Sequence, residues 1–329
     1  MSIADRLYNC VMVPFDKDFA VDEAAYRREI RFFLNEPRFV RKGGLCINPA
    51  AGEIYFLTAA EKRRLLEIAL EEAHGKLPLL CGTWAPTTKE VVEMSRTAKA
   101  LGADGLFVSP PNLMTEFSFS WNADIYPEVW LDQIKAQDRA VDLPMVTHPT
   151  GGFAGTNAFG TGLPVGATLK YCREVPNIVG WKMTYSYDGF QTVAKGLRAL
   201  DRHVAILPAV GGRFHEYKAT DMFDGTMTGY WNCALEPMLE HLDAWDRNDI
   251  VAAKRLWHGG LFQFQDYVGD PARLHLRYKI ALWLRGVIPN PLMRPPVPAP
   301  RQAEIDTMFQ LMRNLKLDVI DAKETRLAA

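Results

Sequence analysis

The residue best suited to chemistry is Lys182, which closes the apolar run Ile178-Val179-Gly180-Trp181-Lys182. An ammonium group is costly to bury, so a lysine at the end of such a run is unusual. In an apolar pocket a lysine amine becomes neutral near pH 7 and can attack a carbonyl carbon to form a Schiff base. The alternative is that the stem of Lys182 packs at the end of a strand while its ammonium reaches water. The elements around Lys182 decide between these interpretations.

Eight short apolar runs alternate with longer helical patterns, which is typical of β/α units that build a parallel sheet. Several runs lack polar alternation, which indicates strands covered on both faces. They predict strands over residues 8–14, 44–48, 77–82, 104–109, 143–148, 178–182, 203–208 and 225–229. The first run is not followed by the GxGxxG turn usual in an open dinucleotide-binding sheet. We therefore predict an α/β fold, a (β/α)₈ TIM barrel with a C-terminal helical extension.

Capping patterns and prolines indicate where helices begin and where the barrel gives way to a C-terminal extension. Thr58-Ala59-Ala60-Glu61 and Thr87-Thr88-Lys89-Glu90 each have the pattern of a capping box at the start of a helix. After the eighth strand, helical patterns cover 235–245, 250–268, 272–284 and 302–315. The six prolines of residues 289–300 predict an extended crossing between the last two. We expect the barrel to span 1–234, and the last barrel helix with the helical extension to span 235–329.

Composition excludes several classes of partner. The net charge is −1 without a lysine/arginine block, so we expect no binding to nucleic acid or anionic membranes. No apolar run approaches the roughly 18 residues that span a bilayer, and the N-terminus lacks the apolar core of a signal peptide. Five scattered cysteines without a CxxC pair favour a reduced, cytoplasmic protein. The histidines form neither HxH nor HExxH, and GxSxG is absent, so we expect neither a zinc nor a serine hydrolase.

The carboxyl ends of the strands carry the active site in this fold. The turn Ala50-Ala51-Gly52-Glu53 after strand two has small side chains that leave backbone N–H groups accessible to an anion. Strand five ends in Thr147 and His148, and strand six ends in Lys182. Strand seven runs into Gly211-Gly212-Arg213, which suits a phosphate or carboxylate or is a plain loop with a surface arginine.

Two residues near Lys182 are candidates for moving protons. His148 can act as a general acid or base near neutral pH, and the alternative is an imidazole that bonds a loop carbonyl. Tyr185 follows Lys182 closely and could reach the pocket as a proton donor or a partner for sugar hydroxyls. The alternative for Tyr185 is packing against the loops.

Taken in order, these motifs resemble the dihydrodipicolinate synthase / N-acetylneuraminate lyase family of Schiff-base-forming (β/α)₈ lyases. The resemblance runs nearly end to end through Val13-Pro14-Phe15, Gly52-Glu53, Gly82-Thr83, Leu101-Gly102-Ala103-Asp104-Gly105, Ser109-Pro110, Leu143-Pro144, Asn177-Ile178-Val179-Gly180-Trp181-Lys182 and Asp224-Gly225-Thr226. It implies that Lys182 forms an imine with pyruvate or another 2-keto acid, without a metal or other cofactor. It also implies a homotetramer. In such a site the amides of Ala50 and Ala51 hold the carboxylate, and Met227 packs near the imine.

The chain departs from the family's pattern at several of these positions. Ala50 and Ala51 stand where the family has two hydroxyl residues that hold the keto acid's carboxylate. His148, preceded by Thr147, stands where the family has a proton-shuttling tyrosine, and Asn112 stands where it has a second tyrosine. The family's arginine after strand five has no counterpart, and a glycine-rich loop takes its place. These departures argue against lysine biosynthesis and favour an altered substrate.

The sequence therefore predicts an aldolase or dehydratase that acts through Lys182 on a 2-keto acid, such as a sugar-acid derivative. Besides the carboxylate-binding turn, Asn112, Thr147 and Arg213 are the candidate substrate contacts. The alternative is a barrel that has lost turnover and serves as a keto-acid-binding or regulatory protein. A third hypothesis is an aldolase for phosphorylated substrates, which rests on Arg213.

Overall fold

Eight short parallel strands form the centre of the fold in a computed structural model, which describes residues 3–111, 120–150 and 162–326. The strands are β1 Leu7–Cys10, β2 Gly43–Ile47, β3 Leu79–Gly82, β4 Gly105–Val108, β5 Met145–Thr147, β6 Ile178–Met183, β7 Ala205–Pro208 and β8 Thr226–Thr228. Their order in the sheet is β7-β6-β5-β4-β3-β2-β1-β8. The sheet is thus a nearly closed barrel, and the predicted (β/α)₈ TIM barrel is confirmed.

Side chains and single backbone bonds close the seam between β7 and β8, the two ends of the hydrogen-bonded sheet. The backbone N–H of Asp224 donates to the Ile206 carbonyl at 3.0 Å, and the Asp224 carboxylate accepts from the Ile206 N–H at 2.7 Å. Arg198 holds the same carboxylate at 2.7 and 2.8 Å. Further along, the Thr228 hydroxyl donates to the Ala209 carbonyl at 2.8 Å. The seam therefore stays narrow without a regular ladder.

Helices cover the outside of the barrel and continue beyond it. In the described part of the chain they are α1 Glu23–Leu34, α2 Pro37–Lys42, α3 Ala59–Ala73, α4 Thr88–Leu101, α5 Glu128–Val141, α6 Val165–Glu174, α7 Tyr187–Arg198, α8 Phe214–Ala219, α9 Trp231–Asp246, α10 Ile250–Leu256, α11 Phe262–Val268, α12 Leu274–Leu284 and α13 Gln302–Asn314. Both predicted capping boxes are present, at Thr58 with Glu61 and at Thr87 with Glu90.

One predicted helix is interrupted. We expected a single helix over residues 250–268, but the π-helical turn Trp257–Leu261 separates α10 from α11. Gly260 in this turn has a φ of 124°, which residues with a side chain rarely adopt. A π turn adds one residue to a helix and shifts the face that its second half presents. The helical periodicity of the sequence does not reveal such a shift.

Successive side chains of each strand alternate between the barrel interior and the helix layer. Trp181 faces the helix layer, where its ring packs edge-on against Tyr185 with centroids 5.4 Å apart. Its neighbour Lys182 therefore points into the barrel. On β1, Tyr8 and Cys10 share the interior face, and the Tyr8 ring fills the space beside β2. A Cβ on Gly44 would lie 2.4 Å from that ring, so β2 needs a glycine there.

The C-terminal helices hold the turn after β2 through a buried ion pair. Lys279 on α12 is fully buried, and its Nζ lies 2.5 Å from the Glu53 carboxylate and 2.6 Å from the Leu292 carbonyl. The second Glu53 oxygen accepts the backbone N–H of Arg294 at 2.8 Å. Burial is the main cause that lowers the pKa of Lys279 to about 8, and Glu53 opposes it. The extension thereby fixes the position of residues 50–53 at the barrel mouth.

We expect Lys279→Met to lower the free energy of unfolding by about 3–5 kcal/mol, because it leaves the Glu53 carboxylate buried without its cation. Urea unfolding measures this loss. The matched control is Arg63→Met, which removes an exposed i,i+4 ion pair with Glu67 of 2.8 Å. There we expect a loss of about 0.5 kcal/mol or less. Equal losses in the two variants would contradict a structural role for the buried pair.

Candidate active site

Lys182 lies near the carboxyl end of β6 with its amine inside the barrel. Its Nζ lies 5.3 Å from the centroid of the Phe107 ring on β4. Among the described residues, its polar contact is a long hydrogen bond from Nζ to the Cys10 Sγ at 4.0 Å. The side chain is partly buried. The structure therefore places the amine inside the barrel, with an aromatic face on one side and a thiol on another.

His148 lies beside Lys182 across the β5–β6 pair. Thr147 pairs with Trp181, so the next position on β5 adjoins Lys182. The His148 imidazole stacks on the same Phe107 ring at 5.8 Å, and the residue is 9% exposed. Its Nε2 is buried and has no hydrogen-bond partner among the described residues. Burial, with smaller effects from Lys182 and His275, lowers the pKa of His148 well below its usual range. The imidazole is therefore neutral and can accept a proton.

His275 is a site residue that the sequence did not reveal. It lies on α12, partly buried, and faces a cavity of about 150 Å³ that Ala50, Glu53 and Met293 also line. Burial and the charge of Lys182 lower the pKa of His275 to about 4. No spacing in the sequence connects this helix residue with the strand ends. Only the docking of α12 across the mouth shows its position.

The turn after β2 lies next to the end of β1. Ala50–Gly52 forms one 3₁₀ turn, and the first N–H groups of such a turn have no partner within it. A Cβ on Gly52 would lie 2.6 Å from the Val11 carbonyl, so only glycine allows this close approach. Glu53 follows in the left-handed conformation with a φ of 60°. The contact of Gly52 with Val11 therefore holds the turn against the residue that follows Cys10.

A second residue that the sequence did not reveal is Cys10, the last residue of β1. It pairs with Cys46 on β2, and both thiols are buried in the interior. A hydrogen bond from Cys46 lowers the pKa of Cys10; burial opposes this effect, and the charge of Lys182 adds to it. In the sequence, a cysteine inside an apolar run is indistinguishable from an ordinary core residue.

Tyr185 and Thr147 are not brought to the amine, contrary to our expectation. The Tyr185 hydroxyl donates to the Leu163 carbonyl at 2.7 Å and lies 2.6 Å from the Thr168 hydroxyl on α6. It therefore joins α6 to the barrel. Thr147 pairs with Trp181 and faces the helix layer with it, where its hydroxyl is buried.

The remaining predicted residues have different surroundings. Arg213 is exposed at the end of the 3₁₀ turn Gly211–Arg213, and no described contact joins it to Lys182. Met227 is fully buried on β8 and pairs with Tyr8, one interior layer below Cys10. Asn112 lies outside the described residues, as do residues 151–161 of the glycine-rich loop.

One group of described residues has ligand atoms close enough for a metal ion, and it lies at the opposite end of the barrel. Asp5, His203 and Asp224 have potential ligand atoms within 4.8 Å of one another. Arg198 and the Ile206 N–H already occupy the Asp224 carboxylate. The group therefore serves the seam of the barrel and has no connection with Lys182.

Comparisons with known proteins show which proteins this chain is similar to. The model of the Dihydrodipicolinate synthetase family matches residues 4–134. An uncharacterised DapA-like lyase of Thermofilum pendens is 26% identical over 95% of this chain and 99% of its own length. A probable 5-dehydro-4-deoxyglucarate dehydratase of Bradyrhizobium sp. is 27% identical over 55% of this chain and 50% of its own length.

The fold is shared with a solved structure of a prophage protein from Escherichia coli K12. That protein is described as belonging to the dihydrodipicolinic acid synthase family and was solved in complex with pyruvate. The TM-score is 0.81 at 19% identity, and the match covers 96% of this chain and 100% of that one. Within the described residues, none of the helices has the length and apolarity to cross a membrane.

Stability should depend on pH through His275. Between the unfolded pKa of 6.5 and the folded pKa of about 4, the unfolded chain binds a proton that the folded chain does not. The free energy of unfolding therefore falls with falling pH by up to about 1.4 kcal/mol per unit. His275→Gln should remove this contribution over that interval, as measured by urea unfolding at stepped pH.

His241→Gln is the matched comparison, because burial lowers the pKa of His241 on α9 to about 3. Its contribution should therefore persist to lower pH than that of His275. Identical pH slopes in His275→Gln and the unmodified protein would contradict the assignment.

Proposed function

Because this chain is a divergent member of the dihydrodipicolinate synthase / N-acetylneuraminate lyase family, we propose that it is a lyase that forms a Schiff base between Lys182 and a 2-keto acid. The observation that supports this most directly is the position of the amine. Its Nζ is inside the barrel, over the Phe107 ring and beside His148 and Cys10. Lys279, which has a structural role, instead pairs with the Glu53 carboxylate.

The amine, in its neutral form, attacks C2 of the keto acid, and loss of water gives an iminium. The cationic nitrogen then accepts electron density, so a carbanion at C3 is stabilised as an enamine. From the enamine the site can cleave or form the C3–C4 bond, or expel a hydroxyl group. These outcomes are an aldolase reaction in either direction, or a dehydratase reaction. No step requires a metal or another cofactor.

We assign the movement of protons at C3 to His148. Its neutral imidazole has a buried Nε2 without a described partner, close to the amine. The Tyr185 hydroxyl, by contrast, is engaged with Leu163 and Thr168 on the helix side of the sheet. His275, across the mouth, is a second neutral imidazole that can receive a proton from the substrate.

Recognition of the substrate carboxylate falls to the turn after β2. Ala50 and Ala51 offer backbone N–H groups at the start of the 3₁₀ turn, and oriented amides of this kind bind anions. Side-chain hydroxyls are missing there, which separates this site from the pattern of the lysine-biosynthesis enzymes. Together with the similarity to a probable sugar-acid dehydratase, this favours a dehydratase or aldolase that acts on a sugar-acid derivative. A homotetramer stays a prediction of the sequence resemblance, and a cytoplasmic location stays a prediction of the scattered cysteines.

We expect borohydride, added with pyruvate, to attach the reduced keto acid to Lys182 alone. Mass spectrometry of the peptide that contains Lys182 measures the increment. The Lys182→Ala variant should take up no label and should lose all turnover, while the control Lys170→Ala, on the surface of α6, should be labelled normally. A folded protein with no label at Lys182 across a panel of 2-keto acids would exclude the proposal.

His148→Gln should slow the exchange of pyruvate methyl protons with D₂O by about 100-fold, because general acid–base catalysis contributes roughly 10²–10⁴. Trapping of the imine by borohydride should persist in this variant. Tyr185→Phe is the control and should exchange at the normal rate, since its hydroxyl faces α6. Slow exchange in Tyr185→Phe with normal exchange in His148→Gln would instead assign the movement of protons to Tyr185. Trapping without any exchange in the unmodified protein would instead support the keto-acid-binding alternative.

A further inference from the structure

Cys10 is held in a defined position next to the reacting nitrogen. It is 1% exposed, and its Sγ lies 4.0 Å from the Lys182 Nζ. The Cys10 carbonyl accepts a hydrogen bond of 3.0 Å from the Asn232 side chain, which also donates to the Gly229 carbonyl at 2.9 Å. Asn9 in turn donates to Asn232 at 2.9 Å. These bonds fix the end of β1 against α9, so the thiol cannot drift away from the amine.

The groups that face Cys10 come from three other elements. Cys46 on β2 donates a hydrogen bond to its sulfur, and Lys182 on β6 faces it with a positive charge. On α12, the Tyr278 hydroxyl is close enough for a negative charge on Cys10 to raise its pKa, although burial is the larger cause. Beyond Lys182 lie the neutral imidazoles of His148 and His275. Both direct partners of Cys10 stabilise a thiolate.

The carboxylates near the mouth are already engaged elsewhere. The Glu53 carboxylate is bonded to the Lys279 ammonium and to the backbone N–H of Arg294. Glu29 accepts the backbone N–H of Met12 at 2.7 Å, and burial raises its pKa to about 8, so it carries no charge near pH 7. The ion pairs among residues 3–111, 120–150 and 162–326 do not include Lys182. An iminium formed on Lys182 would therefore be a buried cation without a carboxylate partner, which is costly.

We propose that Cys10 is a catalytic residue of the condensation: its thiol supplies the proton that leaves with the ketone oxygen as water, and its thiolate then faces the iminium nitrogen. This inference rests on the proposed function of Lys182. The Cys10 thiol is then the general acid for the loss of water, and its thiolate is the counter-ion of the iminium.

The step balances without an oxidant or reductant. The amine Lys182–NH₂, the ketone C2=O and the thiol Cys10–SH give the iminium Lys182–NH⁺=C2, the thiolate Cys10–S⁻ and one water. The C2–N bond forms while the C2–O bond breaks, and the water takes two hydrogens from nitrogen and sulfur. An ammonium with a thiolate carries the same protons as an amine with a thiol, so the balance holds for either starting state.

The experiment compares Cys10→Ser, Cys10→Ala and the unmodified protein. Pyruvate is mixed with each, the thiolate absorbance in the ultraviolet is followed, and the rate of borohydride trapping at Lys182 is measured from pH 6 to pH 9. Serine nearly preserves the volume of the thiol but is a far weaker acid. We expect both variants to form the trapped imine about 100-fold more slowly, and to lose the thiolate signal that pyruvate produces in the unmodified protein.

Cys172→Ala is the matched control, because Cys172 is an equally buried thiol on α6, in the helix layer. It should trap pyruvate at the normal rate and keep the thiolate signal. Normal trapping in Cys10→Ser with an unchanged pH profile would overturn the role of Cys10 and leave the Schiff-base function intact. A pyruvate-dependent thiolate signal that survives in Cys10→Ala would also overturn it. Absence of trapping in the unmodified protein would refute the proposed function itself, and this inference with it.

Discussion

The site depends on an enclosed amine that lacks a carboxylate partner among the described residues. Lys182 reaches into a barrel interior where its amine lies over the Phe107 ring and contacts the Cys10 thiol. Lys279 on α12 is a second buried lysine, but its charge is compensated by hydrogen-bond partners. It is buried completely, and a carboxylate and a carbonyl saturate its ammonium. The difference in partners, more than the difference in burial, separates a lysine available for chemistry from one that holds the fold together.

Lys279 stabilises the turn after β2, which forms part of the site around Lys182. Lys279 and Arg294 belong to the C-terminal extension, yet both bond Glu53, which follows the turn with Ala50 and Ala51. The turn also packs so closely on Val11 that Gly52 cannot carry a Cβ. The extension thus fixes the turn to which we assign the substrate carboxylate, and His275 of the same extension faces the cavity. A barrel without these helices would keep Lys182 but lose one wall of its site.

The sequence predicted the barrel because strands covered on both faces leave short apolar runs, and eight such runs alternate with longer amphipathic helices. Lys182 and His148 were predicted together because the carboxyl ends of adjacent strands meet. Tyr185 was misplaced for a physical reason: three residues beyond Lys182, its side chain has crossed to the helix side of the sheet. Cys10 and His275 were missed because neither residue type nor spacing distinguishes them, and only tertiary packing brings them to the amine.

Among the described residues of the mouth, we assign the movement of protons to two imidazoles and a thiol, where the family pattern has hydroxyl side chains. Burial keeps His148 and His275 neutral, so each has a ring nitrogen that can accept a proton, but it also makes them weaker bases. At Cys10 the hydrogen bond from Cys46 and the charge of Lys182 favour loss of the proton, and burial opposes it. The proton acceptors are therefore imidazoles and the proton donor is a thiol, and the three groups lie on different strands and helices. Expulsion of a hydroxyl from a sugar acid needs both at once, because one proton must leave carbon while another joins the departing oxygen. Cleavage of a carbon–carbon bond also needs an acceptor and a donor, so these groups suit either reaction of a lyase.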